Sequence, residues 1–373
     1  MTENNENESI LIFHSCSSNL NVGENKLSNW ELESCLELHI GNTPRSIMTK
    51  GISVTNGTQY GNFIRGNKDK LMISYMRESS HDYTMVGASG VLFEGEIHFF
   101  GGLNYTHYIG EGMDFTRQHF VIETKRSGQL VKITKKEDLD IPFRSPYCSS
   151  FEMTAEYFTW SKTNAVILCF DFYHERSCYS FNGKLNYIGD SNYDHALGLA
   201  RYKSNLLTLG GYYSEEEMKT VNQETVILTR DKNKNFSWSV VEPVDFKFTP
   251  GKYITGHSMV TVEPSDINEE YVLFLGGHDY LELEIVFKFN GTWFPFGKLK
   301  KRRYWYNTIY WNGAVYVIGG HYDNIHENGK TKMEIWNIKD SPDQFKTKEN
   351  WPELFYWMWP HLFIVPESFF PDH

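Results

Sequence analysis

The sequence predicts an all-β fold: one β-propeller of six four-stranded antiparallel blades occupying residues 1–373. Three observations point there. A short hydrophobic strand closed by two adjacent glycines occurs at Glu96 to Gly102 (EIHFFGG), Asn205 to Gly211 (NLLTLGG), Tyr271 to Gly277 (YVLFLGG) and Ala314 to Gly320 (AVYVIGG). The first glycines of the last two, Gly276 and Gly319, are 43 residues apart, and Gly101 and Gly210 are 109 apart, room for a degenerate copy between them. A strand-plus-diglycine recurring at such a period marks a propeller blade. Finally, 26 Phe, 23 Tyr and 10 Trp suit stacked sheets, which bury large flat side chains well.

Each blade is expected to run from an innermost strand a to an outer strand d. The first complete copy (about 84–143) has a from Gly87 (GASGVLF), b at Gly101-Gly102, c from His119 and d from Leu130. The second (about 144–191) has a from Tyr147 (YCSSFEM), b from Ala165 with its diglycine lost near Asp171-Phe172, c from Ser177 and d from Leu185. The third (about 192–246) has a from His195, b ending at Gly210-Gly211, c from Glu224 and d from Phe236. The fourth (about 250–301) has a from Gly256, an acidic insertion from Glu263 to Glu270, b ending at Gly276-Gly277, c from Glu284 and d from Thr292. The fifth (about 304–351) has Asn312-Gly313 as a hairpin turn between strands Tyr306 to Trp311 and Ala314 to Ile318, because both central positions of that turn need positive φ. Gly319-Gly320 follows, then strand c at Lys332 to Ile338. The sixth blade is expected from both ends, residues 355–373 plus 8–80. Pro360 to Pro366 supplies a, Ser9 to Ser15 supplies b, and segments near Ser46 to Val54 and Leu71 to Met76 supply c and d. Cys16 to Arg45 is then an irregular insertion. Stitching the termini together removes exposed sheet edges.

Composition excludes several classes. A net charge of -11 attracts neither nucleic acid nor an anionic membrane surface. The one basic run, Lys298 to Arg303, reads as a solvated connection between blades. No apolar stretch is long enough to span a bilayer, and the polar MTENNENES start lacks the apolar region of a signal peptide. A soluble, cytoplasmic chain is the expectation. The cysteines, Cys16, Cys35, Cys148, Cys169 and Cys178, match no zinc spacing. Cys169 and Cys178 fall on adjacent strands where they can meet, but buried free thiols in a reducing compartment are preferred. Sequons at Asn7, Asn56, Asn104, Asn235 and Asn290 permit glycosylation if the chain is secreted.

These repeats resemble kelch repeats: a hydrophobic strand ending in Gly-Gly, then an aromatic residue, commonly Trp, then a basic residue before the next blade. Gly276-Gly277, Trp293 and Arg303 follow that order, as do Gly319-Gly320 and Trp336, while Gly210-Gly211 is followed by Trp238. Gly101-Gly102 has no Trp at the corresponding place, and the strand at 165–172 lacks the doublet. The resemblance covers Gly87 to Trp351 directly and implies a stand-alone kelch propeller without a BTB domain. It also implies a protein partner, recognised on the face that carries the b–c and d–a loops.

Catalytic sets are largely missing. The galactose-oxidase type resembles this architecture and implies copper held by Tyr and His. His278 and His321 each follow a diglycine on neighbouring loops, the arrangement two metal ligands would need. The iron-binding Glu-xxx-Asp-xxx-His run of specifier proteins, sialidase Asp boxes, GxSxG, HExxH and a P-loop do not occur. Asp194-His195 has no nucleophile that can be placed beside it. The expectation is a non-enzyme with no cofactor and no metal: a monomeric interaction module for an unidentified protein. A copper oxidase and a secreted glycan-binding propeller are the alternatives. The candidate partner-binding residues are Tyr105, Tyr108, His195, Tyr212, Tyr213, His278, Tyr280, Tyr304, Trp305, His321 and Tyr322, because aromatic anchors dominate interfaces.

Overall fold

The computed structural model describes residues 8–17, 32–39, 45–46, 53–55, 58–61, 65–66, 72–75, 88–94, 96–101, 103–104, 114–115, 117, 119–124, 131–140, 154–160, 163–169, 177–190, 198–203, 205–209, 224–231, 233, 235–243, 256–263, 270–277, 284–321, 330–331, 333–341, 344–347, 354–355 and 361–366. These residues form antiparallel sheets in a propeller arrangement, with no helix among them.

Four blades, against the expected six, are each built from one continuous stretch of four strands ordered a-b-c-d. Blade I is Thr154–Trp160, Thr163–Cys169, Ser177–Phe181 and Leu185–Asp190. Blade II is Gly198–Tyr202, Asn205–Leu209, Glu224–Arg230 and Phe236–Pro243. Blade III is Ser258–Val262, Tyr271–Leu275, Ile285–Phe289 and Trp293–Lys298. Blade IV is Tyr304–Trp311, Ala314–His321, Glu334–Asn337 and Lys346–Thr347.

The other two large sheets depart from that form. Ala88–Phe93, Glu96–Gly101, His119–Thr124 and Val131–Lys135 pair as expected, but Thr58–Gly61 and Ser53–Thr55 extend the outer edge to make six strands. The terminal sheet has the order His361–Pro366, Glu8–Ser17, Leu32–His39, Met72–Tyr75. The two termini do pair, Ile10 opposite Ile364 and Phe13 opposite His361. Strand c, however, lies inside the stretch expected to be an irregular insertion, and Ser53–Thr55 joins a different sheet. LESCLELH carries the hydrophobic alternation of a half-buried strand, a signal outweighed by the polar residues before it. One further boundary differs: strand a of blade I begins at Thr154, not Tyr147, which lies outside the described residues.

The middle strands are rich in apolar residues because each of these blades packs between neighbouring sheets. All of Tyr271–Leu275 is buried. The core is therefore a succession of layers between sheets. Phe93, Phe100 and Leu139 meet Val166, Leu168 and Phe181 of blade I. Ile167 and Cys178 meet Leu199, Leu206 and Leu228 of blade II. Leu207 and Ile227 meet Phe274, Phe287 and Phe289 of blade III, and Leu273 and Val286 meet Val315, Val317 and Trp336 of blade IV. Ile318 and Trp311 meet Leu362 and Ile364 of the terminal sheet. Phe363 then packs edge-on against Phe99, ring centroids 5.9 Å apart.

Turn chemistry agrees with the sequence. Asn312 and Gly313 both have positive φ, 48° and 75°, as the hairpin requires. Gly276, Gly277, Gly319 and Gly320 all have positive φ. In blade IV the doublet lies inside strand b, which continues to His321. Cys169 and Cys178 are disulfide-bonded, which overturns the expectation of free thiols. They stand directly opposite on strands b and c, with Cα atoms 4.1 Å apart, so the two sulfurs face each other on one side of the ladder.

Candidate functional site

The face of a propeller where strands b end and strands a begin carries the b–c and d–a loops. The described residues build a set of locks between neighbouring blades: those of Arg303, Tyr306 and Ser258 lie on that face, and those of Arg201 with Glu263 and Glu270 lie at the a–b loops of the opposite face. The d–a connection from blade III to blade IV carries Arg303, whose guanidinium is buried and donates to the Glu334 carboxylate at 2.5 Å and to the Gly319 carbonyl at 3.2 Å. The same carboxylate accepts the backbone N–H groups of Lys300 at 2.7 Å and Lys301 at 3.1 Å. A buried charge is tolerated only when paired and fully hydrogen-bonded, and Glu334 meets that condition. The run Lys298 to Arg303 is thus no simple solvated loop: its backbone is clamped, and it delivers Tyr304 and Trp305 to the start of strand a.

Tyr306, which comes next, donates its hydroxyl to the Leu275 carbonyl at the end of strand b in blade III. Ser258 and Thr308 hydroxyls meet at 2.7 Å between the innermost strands of blades III and IV. Between blades II and III, Thr261 donates to the Arg201 carbonyl at 2.5 Å, the Lys203 N–H donates to Glu270, and Arg201 pairs with Glu263 and, at 3.4 Å, with Glu270. Glu263 and Glu270, the ends of the acidic insertion, are therefore inter-blade partners. Trp293 reaches across the same joint and donates to Thr225 at 2.6 Å.

Three buried histidines add chemistry that sequence reasoning missed. His98 Nδ1 and His119 Nε2 are 3.0 Å apart on neighbouring strands, boxed by Phe93, Phe100 and Phe181. Burial, aided by the Lys136 charge, holds both rings down at a pKa of about 4, so at neutral pH one neutral ring donates and the other accepts. They lie 21 residues apart with no motif between them, and cross-strand pairing alone joins them. His257 precedes strand a of blade III, packs on Phe274 with ring centroids 4.7 Å apart, and is pushed to about 4 by burial. The Leu209 carbonyl only partly opposes that shift, and neither ring nitrogen makes a well-formed hydrogen bond among the described residues.

Of the candidate partner-binding residues, Tyr105, Tyr108, His195, Tyr212, Tyr213, His278, Tyr280 and Tyr322 lie outside the described residues. Tyr304 and Trp305 open strand a of blade IV, and His321 closes its strand b, where Tyr304 and His321 are cross-strand partners. Of the repeat residues, Gly102, Gly210 and Gly211 lie outside, while Gly101, Gly276, Gly277, Gly319, Gly320, Trp293, Arg303 and Trp336 stand at inter-blade joints or strand ends. Among the described residues no three His, Cys, Asp or Glu side chains cluster as a metal site would need, and no helix is long and apolar enough to cross a membrane.

No family model matches the chain, and no curated protein matches it. The solved structure of YjhT, a propeller of the kelch type, is similar with a TM-score of 0.54 at 13% identity, covering 84% of this chain and 94% of that one. At that identity the likeness speaks for the fold alone.

Proposed function

We propose that this chain is a six-bladed kelch-type propeller that acts, as a monomer and without catalysis, by binding a protein on its b–c and d–a loop face. The six-stranded sheet and the terminal sheet are the two further blades. Their place is supported by Phe363, which packs on Phe99 on one side of its strand while Leu362 and Ile364 pack on blade IV on the other. The observation that carries the binding reading is the Arg303–Glu334 clamp. It commits a buried ion pair to fixing a d–a connection whose next two residues, Tyr304 and Trp305, are aromatic. A rigid mount for large amphipathic side chains lowers the entropy cost of binding. The buried histidine pair supplies only two ligands, already bonded to each other, and so favours packing over metal chemistry.

The test compares partner capture by the wild-type chain and by Tyr304→Ala/Trp305→Ala, then measures affinity with the captured protein purified. Compared under conditions where thermal melting shows both chains folded, the variant should bind at least about tenfold more weakly, since truncating each aromatic anchor typically costs about 1 kcal/mol or more. Equal binding would remove this face from the interaction. Stoichiometric copper uptake with oxidase activity would replace the binding reading by an enzyme.

A further inference from the structure

Two c–d hairpins on the outer rim carry sequons, and the structure treats them differently. In blade II, Asn235 is tied down: its side-chain amide donates to the Asp231 carboxylate at 3.2 Å and its backbone N–H to the same group at 2.8 Å. The Ser237 hydroxyl of that sequon bonds Thr229 across the ladder at 3.0 Å. In blade III, Asn290, Gly291 and Thr292 are the turn itself, and all three are exposed. The turn is closed by the backbone, Asn290 N–H to the Thr292 carbonyl. Gly291 has φ 107° and nothing within 4 Å of where a β-carbon on it would stand, so the tip of the turn is open. The disulfide between Cys169 and Cys178 is an independent observation. Such bonds form and persist in oxidising compartments, the same ones in which sequons are glycosylated.

We propose that Asn290 is an N-glycosylation site and that the chain matures in an oxidising, glycan-adding compartment, not in the cytoplasm. The Asn290 amide nitrogen attacks the anomeric carbon of a lipid-pyrophosphate-linked oligosaccharide. A C–N bond forms, the anomeric C–O bond to pyrophosphate breaks, the lipid pyrophosphate departs, and the amide proton passes to a base of the transferase. The glycan then projects outward from the rim, away from the d–a and b–c loops at the strand ends. The site is independent of what that loop face binds.

The experiment uses the full chain isolated from its own cells. Thiols are alkylated without reductant, and the protein is treated with peptide N-glycosidase in heavy-oxygen water, which converts a glycan-bearing Asn to heavy-oxygen-labelled Asp. Label at Asn290 in most copies, its loss in Thr292→Ala, and a linked Cys169–Cys178 peptide are expected. An unlabelled Asn290, or label confined to Asn235, overturns the site. Full alkylation of both thiols overturns the compartment.

Discussion

The Tyr306 hydroxyl lies 2.5 Å from the point where a β-carbon on Gly276 would stand. The first glycine of that doublet is therefore required twice over, by its φ of 56° and by the phenol of the next blade, which occupies the space to bond the Leu275 carbonyl. The diglycine is an inter-blade socket as much as a turn.

Gly276→Ala should accordingly destabilise the fold by roughly 2–4 kcal/mol, combining backbone strain with a displaced tyrosine. Gly313→Ala is the control. Its φ is 75°, but nothing lies within 4 Å of its would-be Cβ, so about 1 kcal/mol is expected. Thermal melts of the two variants check this, and equal losses would refute the socket.

The Arg303–Glu334 pair is wholly buried, so removing one partner strands the other charge. Arg303→Met and Glu334→Leu should each cost about 3–5 kcal/mol. The double variant should cost less than the sum, because neither charge is then left alone. Denaturant titration of the three variants gives the cycle; additivity would mean that the groups act separately.

Acid should unfold this protein early. Free histidine titrates near 6.5, whereas His98, His119 and His257 in the fold titrate near 4. Above pH 6.5 the rings are neutral in both states and their full contribution is present. Between 6.5 and 4 the unfolded chain takes up protons that the folded chain refuses, so stability falls, by on the order of 2–3 kcal/mol for a fully shielded ring. Melting temperature measured from about pH 8 to about pH 4.5 should drop, and His98→Leu/His119→Phe should flatten that drop. An unchanged slope would show that the pair titrates normally.

Cutting the cross-link should lower stability without changing the fold. The closed loop is short, since Cys169 and Cys178 are 9 residues apart, and loop-closure entropy then amounts to about 2–3 kcal/mol. Cys169→Ala/Cys178→Ala should melt lower than wild type, and reductant should bring wild type to a similar value. No response to reductant would mean that the bond does not form in solution.

The repeat signal was legible in the sequence because a blade is a local object. Its strands are consecutive, its hairpins are short, and residues such as Asn312 and Gly313 announce their own backbone geometry. The doublet glycines, the c–d hairpins and even the pairing of the two termini could be read that way, since a strand a without a successor and a strand b without a predecessor each look incomplete in one dimension. Contacts between blades were not legible. Leu32–His39 was hidden among polar residues, and Ser53–Thr55 joined a sheet that its position in the chain does not suggest. The role of Arg303 depends on Glu334 and the Gly319 carbonyl. The histidine box needs Phe181 from another blade, and whether two cysteines on neighbouring strands bond depends on register. Hydrophobic periodicity and turn residues act over a few neighbouring positions. Which side chain fills which socket is decided by surfaces tens of residues apart in sequence, and these meet only when the sheets stack.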